Sequence, residues 1–124
     1  MRLLLDTHVL LWWALDERVA PAALDAITAP ENDLVVSAAS IWEAEIKAAA
    51  GRLELTLQFA ESARERGCDE LPVTFEHAVQ AAHLPRHHAD PFDRMLIAQA
   101  RIEGLTIVTR DARFSAYDVP VLSA

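Results

Sequence analysis

The sequence predicts an α/β domain: a mainly parallel central sheet of about five strands, with helices covering both faces in three layers. Three observations predict it. Short apolar or β-branched runs recur along the chain, helical stretches with recognisable starts and stops alternate with them, and no repeat, linker or low-complexity tract breaks the alternation. Adjacent parallel strands need a crossover between them, which a helix supplies.

Arg2 to Leu5 reads as a short buried strand and Val9 to Leu15 as the start of a helix. A second helical piece opens at Pro21, a residue favoured in a first turn because its missing N–H has no helical partner there. "DLVVS" (33 to 37) is the next strand. It runs into "SIWEAEIKAAAG", where Ser40 is suited to cap a helix and Gly51 to end it. Thr56 to Arg66 has an amphipathic pattern that stops at Gly67. "LPVT" (71 to 74) is a weaker strand, and Thr74 is placed to cap a helix over Phe75 to His83. After the loop "LPRHHADPFD", Asp90 and Pro91 open a helix through Glu103 that Gly104 closes. "LTIVT" (105 to 109) is a β-branched strand, and "DVPVLSA" ends the chain as a short strand.

Composition bounds the rest. A chain of 124 residues with 52% hydrophobic content and only three glycines is expected to form one domain over 1–124. The single cysteine, Cys68, has no internal partner, and no zinc-type Cys/His spacing is present, which suits the reducing cytoplasm. No basic segment followed by a long apolar stretch and a cleavage site opens the chain, so no signal peptide is expected. The run Val9 to Leu15 falls far short of the ~20 residues of a membrane helix. A net charge of −8 argues against a tight, charge-driven nucleic-acid binder, though not against an enzyme that acts on nucleic acid.

The chemistry begins with "RLLLDTHVLLWW", where Asp6 stands between two apolar runs. A carboxylate in such surroundings is expected to be paired, protonated or given a cation, because burial of an unpaired charge costs several kcal/mol or more. Asp6 ends the first strand, and Asp111 follows the "LTIVT" strand by one residue, so both should emerge at the carboxyl edge of the sheet. That edge is where ligand sites of open parallel sheets lie. Capping explains either acid singly as well as a site does. Glu43 fits a capping box with Ser40 or an i,i+4 pair with Lys47, and Glu45 falls inside the apolar arc of the same helix. Asp93 projects into the arc of Phe92, Leu96, Ile97 and Ala100, and a helix amino terminus is worth only ~0.3 to 1 kcal/mol, up to about 2 when partly buried, against that burial. Asp90 is better explained as the helix cap. Four converging acids need positive charge, and an all-oxygen ligand set selects a hard cation such as Mg2+ or Mn2+.

"LLLDTHVLLWW", "SAASIWEAEIK", "DPFDRMLIAQA" and "LTIVTRDARF", in that order, resemble the PIN-domain ribonucleases, specifically the VapC-type toxins of bacterial toxin-antitoxin pairs. The resemblance covers almost the whole chain. It implies a PIN-like α/β/α fold in which Asp6, Glu43, Asp93 and Asp111 form an acidic quartet that coordinates Mg2+ or Mn2+ and cleaves RNA. It places Thr7 and Thr109 where hydroxyls support the site, with the additional acid Asp90 a candidate secondary ligand; Glu45, from its place on the helical wheel, is a further lower-ranked candidate. It also implies a homodimer and a VapB-type antitoxin that obstructs the acidic pocket, with a basic side chain replacing the metal. Trp12, Trp13 and Trp42 are candidates for the apolar lining of that contact, core packing being the other use.

Two rival functions fit parts of the sequence. A haloacid-dehalogenase-type phosphatase also begins with an apolar strand ending in Asp, but needs a second Asp two residues on, and position 8 is His. A non-catalytic binding module would keep the acids for a structural ion or a partner's arginine. His83, His87 and His88 crowd one loop without a fourth zinc ligand, so a solvated loop is the expectation. Arg86, Arg94, Arg110 and Arg113 lie near the acids in sequence and suit either RNA phosphates or surface ion pairs.

Overall fold

A computed structural model describes residues 1–53 and 58–124. Its strands are β1 (Arg2–Leu5), β2 (Asp33–Ser37), β3 (Asp69–Leu71), β4 (Thr106–Thr109) and β5 (Val121–Ser123). They form a sheet in the order β3-β2-β1-β4-β5, and every neighbouring pair is parallel. The helices are α1 (Thr7–Ala14), α2 (Pro21–Thr28), α3 (Ala38–Ala49), α4 (Phe59–Glu65), α5 (Phe75–His83) and α6 (Pro91–Glu103), with a 3-10 turn at Ala112–Ala116.

The two-residue period of the strands builds two cores. Leu3, Leu5, Leu34, Val36 and Val108 face one side, where Val9 and Leu10 of α1, Ala23 and Ile27 of α2, and Phe59 of α4 pack on them. Leu4, Val35 and Ile107 face the other, against Ala81 of α5, Leu96, Ile97 and Ala100 of α6, and Phe114. Leu4 sits beside Val35 and Ile107 in register, so the middle strand is apolar on both faces, as a parallel strand covered on both sides must be. The chain leaves β1 toward β2 and β3, then returns to β4 on the opposite side. The crevice where that order reverses opens between the carboxyl ends of β1 and β4.

Several boundaries differ from expectation for local reasons. The cap of α3 is Ser37, whose Oγ accepts from the Ala39 N–H; Ser40 is already inside the helix, so no Ser40–Glu43 capping box exists. The third strand is Asp69–Leu71 rather than 71 to 74, because Pro72 has no N–H to continue a ladder. Within the described residues, α4 begins at Phe59; the expected start at Thr56 lies outside them. Thr74 does cap α5, and the box is closed by His77, whose Nδ1 accepts from the Thr74 N–H. Asp90, Pro91 and Gly104 bound α6 as expected, Gly104 taking a left-handed φ of 69° that a side chain would strain. Among the described residues, no helix is long and apolar enough to cross a membrane.

Candidate active site

Asp6 is delivered by β1. Its backbone N–H donates to the Val108 carbonyl of β4 at 3.0 Å, which seats it at the crevice. It occupies the cap position of α1 but makes no side-chain cap hydrogen bond. Its Oδ2 instead accepts from the Thr109 hydroxyl at 2.8 Å, and the same Thr109 oxygen accepts from the Asp111 N–H at 3.1 Å. Thr109 therefore couples the ends of β1 and β4. Asp6 is only 6% exposed, and burial pushes its carboxyl above the usual range, opposed mainly by the Thr109 hydrogen bond.

Glu43 arrives from α3 and is 4% exposed. Its Oε1 accepts from the buried Thr7 hydroxyl at 2.8 Å and its Oε2 from Lys47 Nζ at 2.8 Å. Of the ordinary roles open to it, the i,i+4 pair is the one that forms. Glu45, on the same helix, is exposed and does not line the acidic cleft, correcting its placement in the apolar arc.

Asp93 sits in the first turn of α6, while Asp90 caps that helix by accepting from the Phe92 and Asp93 N–H groups. Burial pushes the Asp93 carboxyl up to about 8, and the neighbouring charges of Asp6, Asp90, Glu43 and Asp111 push in the same direction. That set of neighbours is the convergence itself, since these acids come from the ends of two strands and from two helices. Asp111 behaves oppositely. Arg113 donates to both of its oxygens at 2.7 to 3.1 Å and holds its carboxyl at about 2.

These residues line one open cleft of about 410 Å³, walled by Asp6, His8, Trp12, Glu43, Lys47, Asp90, Asp93, Arg110, Asp111 and Arg113. Its cations stand at the acids and beside Trp12, over whose ring the Arg110 guanidinium lies at 3.9 Å. A part-buried carboxyl raised this far marks a cluster short of positive charge, and the carboxylate donors suit a hard divalent ion. The residues present thus fit such an ion.

The sequence reading missed His88. Expected in a solvated loop, it is buried, with Nε2 2.7 Å from Asp93 Oδ2 and 3.7 Å from Asp111 Oδ2. Its place five residues before Asp93 was the only available signal. His83 and His87 do not join it: His83 bonds the Val79 carbonyl and His87 packs on Tyr117. Arg94 is turned inward rather than toward substrate. Its guanidinium donates to the carbonyls of Ala81, Ala82, Leu84, Pro85 and His88, and so shapes the loop that carries His88. Arg94→Ala should lower stability by about 2–3 kcal/mol in urea unfolding, with Lys recovering only part because it lacks the planar fork. Trp42 is 64% exposed and meets Phe92 edge-on at 5.4 Å, whereas Trp12 and Trp13 pack partly on the core.

A parallel sheet with carboxylates gathered at its switch point defines a class, and the PIN domain family model matches residues 3–120. The chain belongs to the PIN-domain family, in its VapC-type branch. Ribonuclease VapC22 of Mycobacterium tuberculosis (strain ATCC 25618 / H37Rv) is 33% identical over 126 residues, covering 94% of this chain and 92% of the relative. The fold is shared with VapBC2 of Rickettsia felis, solved bound to a promoter DNA fragment (TM-score 0.74, 12% identity, 99% of this chain and 98% of that one). It is shared also with VapC20 of Mycobacterium tuberculosis, described as a sarcin-ricin loop cleaving toxin (TM-score 0.66, 18% identity, 98% and 99% covered).

Proposed function

We propose that this chain is a Mg2+- or Mn2+-dependent endoribonuclease acting as the toxin of a toxin-antitoxin pair, with Asp6, Glu43, Asp93 and Asp111 as its metal-holding catalytic acids. The observation that carries this reading is the convergence of those four carboxylates in one cleft, with the Asp93 carboxyl raised to about 8 by burial and by the others. The relative named as a ribonuclease and the family support it. Asp6, Glu43, Asp93 and Asp111 would hold the ion, which would supply a nucleophilic water at neutral pH and offset charge on the phosphate.

The chain's own groups do the rest. The Thr7 and Thr109 hydroxyls hold Glu43 and Asp6 in fixed orientations, so little reorganisation is needed when substrate arrives. Lys47, Arg110 and Arg113 give an acidic protein local cations for RNA phosphates. Asp90 stays the cap of α6 and acts on Asp93 through its charge. The protein works as one domain over 1–124 in the cytoplasm, as a homodimer, neutralised by a VapB-type antitoxin that puts a basic side chain among the acids. The VapBC complexes that share the fold support that partner.

The test is cleavage of a panel of structured and unstructured RNAs by antitoxin-free protein in Mg2+, Mn2+ or excess EDTA. Cutting should require the ion and vanish in EDTA. Undiminished cutting in chelator would defeat the metal-dependent reading, and no cutting of any RNA by folded protein would favour the binding module. PIN-family membership removes the phosphatase alternative.

A further inference from the structure

His88 carries an inference that rests on the metal-dependent reading above. Its ring is walled by Phe114, edge-on at 6.2 Å, and its side chain is 3% exposed. The Asp90 backbone N–H donates to its Nδ1 at 3.2 Å. A nitrogen that accepts a hydrogen bond bears no proton, so the proton of the ring sits on Nε2. Nε2 has no aligned acceptor: Asp93 Oδ2 approaches to 2.7 Å but off the N–H axis, and Asp111 Oδ2 lies at 3.7 Å. An unpartnered buried donor thus stands beside two carboxylates from different elements.

Two roles compete for this imidazole. His88, Asp93 and Asp111 each bring a ligand-type atom within 4.8 Å of the others, and a nitrogen ligand would soften the set toward zinc. A ligating nitrogen must present a lone pair, however, and on Nε2 that position is taken by the proton. The Asp90 N–H holds it there.

We propose that His88 is a positioning residue of the metal centre: once the Asp93 carboxyl ionises on the cation and turns onto the N–H axis, Nε2 donates to Asp93 Oδ2, now 2.7 Å away and unaligned, and so directs the other Asp93 oxygen toward the cation. The Asp90 N–H, by fixing the tautomer, keeps the imidazole out of the ligand set and the set all-oxygen. Arg94 belongs to the same device, since it bonds the His88 carbonyl and anchors the loop.

The probe is Mn2+ alone, titrated into wild type, His88→Ala and His88→Gln and followed by electron paramagnetic resonance, with thermal melts to confirm folding. His88→Ala should weaken Mn2+ binding by about 10- to 100-fold. His88→Gln, whose amide N–H reaches toward Asp93, should recover most of that loss. The wild-type Mn2+ spectrum should show no directly coordinated imidazole nitrogen, a readout that needs no variant. Wild-type affinity in His88→Ala, no recovery in His88→Gln, or a directly bound nitrogen overturns the proposal. Wild type that binds no Mn2+, or binds it equally after Asp6→Asn, sinks the functional reading and this inference together. If wild type binds Mn2+ and cuts RNA while His88→Ala matches it in both, only the role of His88 falls.

Discussion

Asp6→Asn should leave the protein folded and reduce metal-dependent RNA cleavage by a factor on the order of 10^3 or more, about 4 kcal/mol of barrier. Asn keeps the volume of Asp and an oxygen that accepts from the Thr109 hydroxyl, so the joint between β1 and β4 survives. What it loses is the negative charge at the centre of the cleft. Because that carboxylate is buried and its carboxyl is raised by burial, its neutralisation should not lower the melting temperature. Activity lost without stability lost separates chemistry from unfolding. An Asp6→Asn protein that cleaves at the wild-type rate would remove Asp6 from the site.

Asp93→Asn should raise the melting temperature of the metal-free protein, on the order of 5 °C, while abolishing the gain that Mn2+ brings to wild type. Mn2+ at about 100 times its dissociation constant stabilises a folded binder by about 2.7 kcal/mol, provided it ignores the unfolded chain. The sign with pH follows from the raised carboxyl. In EDTA, folded Asp93 keeps its proton up to about 8, whereas the unfolded chain releases it near its ordinary value of 3.8. Between these limits the folded state binds the extra proton, so this residue makes stability fall as pH rises from about 4 to about 8. Below that window its contribution is fully retained. Asp93→Asn should flatten that slope, and calorimetric melts in EDTA at pH 5 and pH 8 measure it. An equal slope in both proteins would show that burial and the neighbouring acids do not raise the Asp93 carboxyl.

The parts of this molecule legible in the sequence are those written in nearest-neighbour terms. Leu3 to Leu5, "DLVVS" and "LTIVT" are strands by their own side chains, and Asp90, Pro91 and Gly104 bound α6 without outside help. Asp6 and Asp111 were legible because a strand's end fixes where the next residues emerge. Glu45 misled because a helical wheel knows one helix, whereas the face that α3 buries is decided by α1 and α6 packed beside it. Ser37 displaced Ser40 as the cap because α3 starts as soon as β2 ends.

By itself, then, the sequence determined the α/β class and the order of elements, and it named the four acids that the fold brings to one cleft. Only the tertiary structure decided that Thr109 bonds Asp6 across 103 positions of chain, and that His88 is buried among the acids while Arg94 turns inward. The reason is physical. Periodicity and caps are properties of a few consecutive residues, whereas a carboxyl raised by its neighbours exists only once the sheet's reversal at β1 and β4 has brought distant elements within a few ångströms.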